Sequence, residues 1–308
     1  MTIEHRHIHE LVHQVLDQVT EQAETFDVSK EGESPFVSGL NTGFFDLDQV
    51  TNGLKPGELI LVAARPGVGR TSFVLNIAEH LLLHEEVPVM LFSFRTSAVE
   101  VAHRIMSSSG RIRYSHLVTG GLNDEEWPRL TTVIERLLRE TVTLEINDDV
   151  NLSFEGLLEN ALDFEKRNGN KGVIIIDGLL GIDGIERMSS ADRWTRIDQN
   201  ARALKGLARK LELPILITSD AKSGDEKFER SRNRRPTKHD LYGSATLADI
   251  ADTILLIYRD ELFNEACREP GVAEIIVDKS MLATATIKLS FIENQFRFEN
   301  LASNARYL

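Results

Sequence analysis

Short apolar, β-rich segments separated by helical stretches are the feature that most constrains how this chain folds. They occupy residues 59–63, 88–94, 142–146, 173–177, 214–218, 252–258, 274–278 and 286–291. Near-continuous apolar strands joined by helical crossovers indicate a parallel sheet covered on both faces. The closing segments have short connections, which favour antiparallel strands. The sequence therefore predicts an α/β fold: a mostly parallel, twisted sheet flanked by helices, with antiparallel strands at one edge.

An amphipathic segment precedes this region. Residues 8–26 carry apolar side chains at helical spacing: Ile8, Leu11, Val12, Val15, Leu16 and Val19. The stretch 27–35 is acidic and contains glycine and proline, which indicates a loose tether. A helix on such a tether must bury its apolar stripe against its own domain or a neighbouring subunit. We therefore predict a linker helix and tether over residues 1–35 and one folded domain over residues 36–308.

Composition narrows the classes of protein and of partner. With 42% apolar and 27% charged residues among 308, the chain reads as a soluble globular protein. It lacks an apolar run long enough to span a membrane, and its single cysteine, Cys267, fits a reducing compartment, so we predict a cytoplasmic protein. Because the net charge is −13, any contact with nucleic acid requires a local basic surface. The candidates are the basic run 227–238 and the pair Arg111 and Arg113, although such a run is more often a solvated loop.

A glycine-containing loop joins the first predicted strand to the helical stretch 73–83. In such loops the backbone N–H groups cradle phosphates, a lysine reaches the outer phosphates, and a hydroxyl holds magnesium. Against the pattern G-x-x-x-x-G-K-[ST], Gly69 and Thr71 fit, whereas Ala64 and Arg70 replace the first glycine and the lysine. The predicted nucleotide-binding residues are Arg65, Pro66, Gly67, Val68, Gly69, Arg70, Thr71 and Ser72.

A carboxylate ends the buried segment 173–177. Asp177 stands where a second magnesium-holding motif is expected after a phosphate loop. The alternative is a plain strand-end turn residue. Such a site would take ATP and Mg²⁺, with Thr71 and Asp177 holding the metal ion if nucleotide binds, and the replacement of the lysine leaves that binding open.

Eight short motifs occur along the chain in an order that indicates one protein family. They are TGFFDLD (42–48), GLKPGELI (53–60), AARP (63–66), DEEWPRL (124–130), LKGLA (204–208), RP (235–236), YRDE (258–261) and RFEN (297–300). Over residues 36–301 the chain resembles the ATPase domain of DnaB-type replicative DNA helicases. The resemblance implies a RecA-like fold, ATP as ligand, and a ring in which the linker helix docks on the next subunit.

The positions that serve hydrolysis in that family are replaced here. The family's water-positioning glutamate corresponds to Arg95, and a cation cannot accept the water's proton. The family's phosphate-loop lysine corresponds to Arg70. The family's polar sensor, at the end of the strand that follows Asp177 along the chain, corresponds to Asp220. The trans-acting K-x-R sequence reads Lys279-Ser280-Met281 here, so the lysine remains as an expected nucleotide contact while the arginine finger is lost. Losing such a finger typically costs about 10³- to 10⁵-fold in rate.

The DNA-facing loop of the family has also changed. Its sequence D-L-R-E-S-G reads DLYGSA over residues 240–245, so the arginine that pairs with a phosphate is Tyr242. Tyr242 could stack on a base or pack as an ordinary loop aromatic. The predicted DNA-contact residues are Arg234, Arg235, Tyr242 and Gly243, with a weakened grip on single-stranded DNA.

Three functions follow from these replacements. The leading hypothesis is a non-hydrolysing DnaB-like binding module or regulator of helicase assembly, which contacts its own copies or a replicative helicase through residues 8–26. The second is an active ATP-dependent helicase or translocase, in which Asp220 pairs with Arg95 and acts as the base. The third is a structural ring that binds ATP through Thr71 and Asp177 without cleaving it.

Overall fold

The computed structural model describes residues 8, 12, 13, 15–17, 19, 20, 37–221, 235–241 and 245–301. In the N-terminal segment the described residues are helical. Its described apolar side chains are all exposed: Ile8, Val12, Val15, Leu16 and Val19. The predicted segment 8–26 is thus helical at its described residues, and the apolar side chains described there are exposed.

The described residues form nine strands of one sheet. Their bounds are β1 (Leu59–Ala64), β2 (Val89–Ser93), β3 (Leu144–Asn147), β4 (Val173–Asp177), β5 (Ile215–Asp220), β6 (Thr253–Tyr258), β7 (Val272–Lys279), β8 (Ala285–Ile292) and β9 (Arg297–Asn300). The first eight correspond to the predicted apolar segments. Strand β9 was not predicted, because its four residues alternate in burial and carry no continuous apolar run.

Helices and short 3₁₀ turns connect the strands. The helices are α1 (Phe45–Thr51), α2 (Arg70–Leu83), α3 (Ala98–Gly110), α4 (Tyr114–Thr119), α5 (Glu126–Leu137), α6 (Phe154–Asn168), α7 (Ser190–Leu211) and α8 (Ala245–Ile250). Serine caps start three of them, since Ser97, Ser153 and Ser189 accept hydrogen bonds from backbone N–H groups three residues ahead. Each such cap contributes about 1 kcal/mol. Among the described residues, no helix is both long and apolar enough to cross a membrane.

The order of the strands is β3-β2-β4-β5-β1-β6-β7-β8-β9. Strands β1 to β6 pair in parallel, whereas β7, β8 and β9 continue the sheet in antiparallel fashion. The predicted fold class is therefore confirmed, including the antiparallel edge. This order also brings the carboxyl ends of the parallel strands β2, β4, β5 and β1 next to one another.

Helices cover both faces of the sheet. Alternate residues of β1 divide between two hydrophobic layers, with Ile60 and Val62 in the layer that contains Phe73 of α2, and Leu59 and Leu61 in the layer that contains residues of α6 and α7. Because β1 is buried on both faces, it is apolar along its whole length. The strand is thereby held rigidly beneath the loop that follows it.

Candidate nucleotide site

The loop between β1 and α2 has an open face. Gly67 and Gly69 have φ values of 80° and 111°, in the left-handed region that favours glycine. A Cβ at Gly69 would come within 3.2 Å of the Phe298 ring, whereas one at Gly67 would meet no atom within 4 Å. Helix α2 begins at Arg70, three residues before the predicted stretch, so Arg70, Thr71 and Ser72 form its first turn. Space therefore exists for a phosphate group beside the loop and the helix N-terminus.

Thr71, Asp177 and Thr218 form a cluster, which we call the magnesium corner, in which Asp177 and Thr218 are buried and Thr71 is partly buried. The Thr71 hydroxyl donates to Asp177 Oδ2 at 2.8 Å, and the Thr218 hydroxyl donates to Asp177 Oδ1 at 2.7 Å. The backbone N–H of Gly178 donates to Thr218 Oγ1 at 2.8 Å. The structure thus brings Thr71 and Asp177 together, and their role as magnesium ligands stays a prediction.

Thr218 was missed by the sequence reasoning. It lies on β5, and its hydroxyl reaches Asp177 because β5 pairs directly with β4. A polar residue near the end of an apolar strand is a weak signal by itself. It becomes informative only when the neighbouring strand is known.

Arg70, Asp220 and Arg95 form a second cluster, which we call the arginine clamp. Arg70 Nη1 donates to Asp220 Oδ1 at 2.7 Å, and Arg95 Nη2 donates to Asp220 Oδ2 at 2.7 Å. A longer bond of 3.4 Å joins Arg95 Nη1 to Asp220 Oδ1. The side chain of Arg70 is 9% exposed, that of Asp220 18% and that of Arg95 42%. One carboxylate is therefore shared by a buried and a half-exposed guanidinium.

The arginine clamp spans the carboxyl ends of the strands, next to the magnesium corner. Arg95 follows β2, and its Cγ would lie 3.8 Å from a Cβ at Gly178, the residue after Asp177. Asp220 ends β5 in register with Ala64, the residue that leads into the phosphate loop. The three clamp residues therefore span from β2 over β4 to β5 and the start of α2.

The ion pairs set the charge state of Asp220. Burial raises the pKa of this carboxyl, but the charges and hydrogen bonds of Arg70 and then Arg95 outweigh burial, so the pKa lies below its usual value. Asp220 is therefore an anion at neutral pH. A carboxylate with a lowered pKa that already accepts from two guanidinium groups is a poor base.

One donor atom of Arg70, the Nε, is not used by the clamp. Its Nε is buried and makes no hydrogen bond, while its Nη1 is bound to Asp220. An unsatisfied buried donor costs about 1–3 kcal/mol. Such a donor is expected where a ligand completes the site. The open loop, the magnesium corner and this donor together fit a Mg²⁺–nucleotide, in which the metal ion neutralises phosphate charge.

The sequence also placed Lys279 and Met281 near a nucleotide, in trans. In this chain the Lys279 ammonium donates to three backbone carbonyls at the end of α8, those of Ala248, Asp249 and Ala251, at 3.0, 2.9 and 2.5 Å. Lys279 pairs with Ile254 near the amino end of β6, so it lies at the edge of the sheet opposite the phosphate loop. Met281 is 77% exposed. The structure does not bring Lys279 to the loop of its own chain, and a contact with a neighbouring subunit's nucleotide stays a prediction.

Of the predicted DNA contacts, only Arg235 lies among the described residues. Arg234, Tyr242 and Gly243 lie outside them. The guanidinium of Arg235 binds both carboxylate oxygens of Glu274, and its Cζ lies 5.2 Å from the centre of the Tyr258 ring. Its charge is therefore already matched by a carboxylate of the same chain.

A parallel sheet with a glycine loop at the carboxyl end of β1 and a carboxylate at the end of β4 defines the class of RecA-like, phosphate-loop ATPase domains. The family profile described as DnaB-like helicase C terminal domain matches residues 39–300. The chain belongs to this family.

Relatives agree with that assignment. The replicative DNA helicase DnaB of Buchnera aphidicola subsp. Baizongia pistaciae is 35% identical over 269 residues, which cover 87% of this chain and 57% of the relative. That of Geobacillus stearothermophilus is 32% identical over 274 residues, covering 89% and 58%. The chain thus spans just under three fifths of the length of these two relatives.

Solved structures agree as well. One solved ATPase domain superimposes with a TM-score of 0.84 and 25% identity, covering 97% of this chain and all of that one. A DnaB-like replicative helicase, solved in a study of its interactions with primase, gives a TM-score of 0.79 at 26% identity and covers 94% and 66%.

Proposed function

We propose that this chain is a DnaB-type domain of DNA replication that holds a nucleotide without hydrolysing it, and that it acts as an assembly module or regulator of a replicative helicase. The observation that carries the proposal is the arginine clamp. At the end of β2, where the family's water-activating carboxylate is expected, Arg95 is bound to Asp220. The chain keeps the fold and the magnesium corner, but its clamp replaces the base.

The clamp also counts against the active alternative. In that alternative Asp220 would take the proton from the attacking water. Both oxygens of Asp220 accept from guanidinium groups, and the low pKa of the carboxyl disfavours protonation. Met281 stands where the family has its arginine finger, and its exposed side chain offers no charge to a phosphate on a neighbouring subunit. Each change removes a different contribution to the rate.

Steady-state ATP hydrolysis tests this proposal. The purified protein is assayed with Mg²⁺ at high concentration, with and without single-stranded DNA, beside an active DnaB ATPase domain. We expect this chain to hydrolyse ATP at least about 10³-fold more slowly than the active domain, because the loss of an arginine finger alone typically lowers the rate by about 10³- to 10⁵-fold. Adding the single change Met281→Arg is expected to leave the rate low, because the clamp remains. Helicase-like turnover that disappears in Asp177→Ala would show that the proposal is wrong.

Two exposed apolar surfaces support the assembly part of the proposal. One is the N-terminal helix, in which Val12 and Leu16 are more than half exposed. The other lies on α5 and just beyond it, where Trp127, Ile134 and Leu138 are exposed by 53%, 38% and 78%. Positions seven and four residues apart share one face of a helix. Both surfaces are unusual for an isolated domain.

We infer that the N-terminal helix of one copy packs on the α5 surface of the next. Each copy presents both halves of this contact, so the interface is heterologous and generates a ring or an open chain of copies. A replicative helicase subunit with an equivalent α5 surface is the other occupant to be tested.

Mass determination by light scattering tests this contact. We expect oligomers for the unmodified chain and monomers for the double variant Val12→Asp, Leu16→Asp, because a charge on the stripe opposes its burial. Asp17→Lys, a charge change on the same helix but on the face opposite the apolar stripe, is the matched control. If Trp127→Asp leaves the oligomers intact, α5 is not the receiving surface. If the chain is monomeric alone but binds an active helicase, the helicase is the partner.

The grip on single-stranded DNA is proposed to be weakened. Arg235, the one predicted contact in the described residues, is already neutralised by Glu274. Anisotropy of a labelled oligonucleotide should therefore show weaker binding than to an active DnaB ATPase domain at equal salt. Equal affinity would contradict this part.

A further inference from the structure

We propose that the site selects nucleoside diphosphates over triphosphates, because Asp220 already uses the cationic groups that a third phosphate would need. The inference rests on the proposed function in one respect, that the phosphate loop holds a nucleotide. It adds the class of ligand, a Mg²⁺-bound nucleoside diphosphate such as ADP. It also assigns Asp220 as the residue that determines specificity.

The first step concerns the reach of Arg70. The residue at this position of a phosphate loop extends toward the outer phosphates. Here its Nη1 is bound to Asp220 at 2.7 Å, and the side chain is nine-tenths buried. A buried guanidinium in an ion pair has little freedom to turn toward another anion. The end of Arg70 is therefore committed to a carboxylate of the protein itself.

The second step concerns Arg95, the other cation at this edge. Its Nη2 holds the second oxygen of Asp220 at 2.7 Å, and its stem lies against the turn that follows Asp177. The two guanidinium groups thus enclose one carboxylate from both sides. A terminal phosphate that entered here would have to separate Asp220 from both arginines or bind beside its negative charge. Both routes weaken the binding of a triphosphate.

The third step concerns what the clamp leaves available. Arg70 Nε is buried and makes no hydrogen bond, so Asp220 does not use this donor. The open face at Gly67 and the carboxylate of Asp177 are also outside the clamp. These are the groups that would hold two phosphates and a metal ion. The site is therefore complete for a diphosphate and obstructed for a triphosphate.

Equilibrium binding distinguishes the two ligands. Dissociation constants are measured by calorimetry with Mg²⁺ for ADP and for a non-hydrolysable ATP analogue, on the full chain. We expect ADP to bind at least about tenfold more tightly, which corresponds to about 1.4 kcal/mol. Asp220→Asn removes the negative charge with little change in shape. It should tighten the analogue and bring the ratio of the two constants close to one.

Asp149→Asn is the matched control. Asp149 follows β3 near the same edge of the sheet, outside the clamp and the magnesium corner. This variant should keep the preference of the unmodified chain. Thermal unfolding of both variants verifies that they fold.

Three results would overturn the inference. They are equal affinity of the unmodified chain for ADP and the analogue, absence of binding by both, and an unchanged ratio in folded Asp220→Asn. If that variant does not fold, the ratio for the unmodified chain still decides. Hydrolysis of ATP would contradict the proposed function instead, and it leaves the measured ratio intact, so the two failures are distinguishable.

Discussion

The magnesium corner and the arginine clamp lie at neighbouring strand ends of one sheet, yet their carboxylates have opposite surroundings. Asp177 accepts from two neutral hydroxyl groups and is 1% exposed. Asp220 accepts from two guanidinium groups. A carboxylate among neutral donors keeps its full attraction for a metal ion, whereas one between two cations is already neutralised. In the proposed nucleotide site, one carboxylate is thus open to a metal ion, whereas the other is occupied by side chains of the chain itself.

The contrast also concerns stability. Removing the carboxylate of the clamp leaves a buried cation without a partner, whereas removing that of the corner leaves only neutral hydroxyl groups. The clamp should therefore contribute more to the free energy of unfolding, although it offers less to a ligand. Three measurements can break or sharpen this comparison.

The largest effect is expected for Asp220→Ala. Arg70 would stay buried without its counter-charge, and we expect the free energy of unfolding to fall by about 2–3 kcal/mol. Denaturant unfolding measures this loss, and added phosphate should recover part of it by binding to the freed arginines. Glu145→Ala is the control, because its partner Arg167 is exposed and such pairs contribute less than about 1 kcal/mol. An Asp220→Ala variant as stable as the unmodified chain would contradict the clamp.

An intermediate effect is expected for a buried carboxylate that has no arginine. Asp48 of α1 accepts from the backbone N–H of Thr42, and desolvation by burial raises its pKa to about 7. Because the folded-state pKa exceeds the unfolded value, its stabilising contribution is greatest at low pH and is lost as the pH rises toward 7. We expect a loss of about 2 kcal/mol between pH 5 and pH 8.

The pH dependence of the melting temperature measures the effect of Asp48. Asp48→Asn should flatten the profile in this range. Asp220 has the opposite sign: its pKa is lowered, so its contribution is present above the usual carboxyl pKa and lost only in stronger acid. A profile unchanged by Asp48→Asn would show that another group is responsible.

The smallest effect on stability is expected for Asp177→Ala. It removes hydrogen bonds from Thr71 and Thr218 but strands no cation, so the free energy of unfolding should fall by about 1–2 kcal/mol. The same change should weaken Mg²⁺-dependent binding of ADP by about 10- to 100-fold. Calorimetry with and without Mg²⁺ measures this loss. If Asp177→Ala costs more stability than Asp220→Ala, the comparison is reversed.

The fold was predictable from the sequence to a large extent. The apolar segments located strands β1 to β8, because each packs at least one face against the core and so is apolar at every, or every second, position; in β3 the packed side chains, Leu144 and Ile146, are only partly buried. Strand β9 escaped, since only Phe298 in it is fully buried. The glycine loop is only a partial match to its pattern, and it became recognisable from its place between an apolar strand and a helix, together with Asp177 at the end of a later apolar strand.

The candidate site was predictable in part. The pairing of Arg95 with Asp220 was considered only as a way to keep activity, and the participation of Arg70 was not foreseen. Nor did the sequence reveal that Thr218 supports Asp177, or that Lys279 holds the end of α8. Each contact joins side chains of elements that are distant in the chain.

By itself, the sequence determined which charged residues follow the apolar strands and which strands carry them. Only the tertiary structure decided that Arg70 and Arg95 converge on one carboxylate. The reason is the interleaved strand order β2-β4-β5-β1, which brings Asp220 to partners 150 and 125 residues away. Local periodicity reports whether a strand is buried, but not which strand lies beside it, because that choice depends on the packing of the whole sheet.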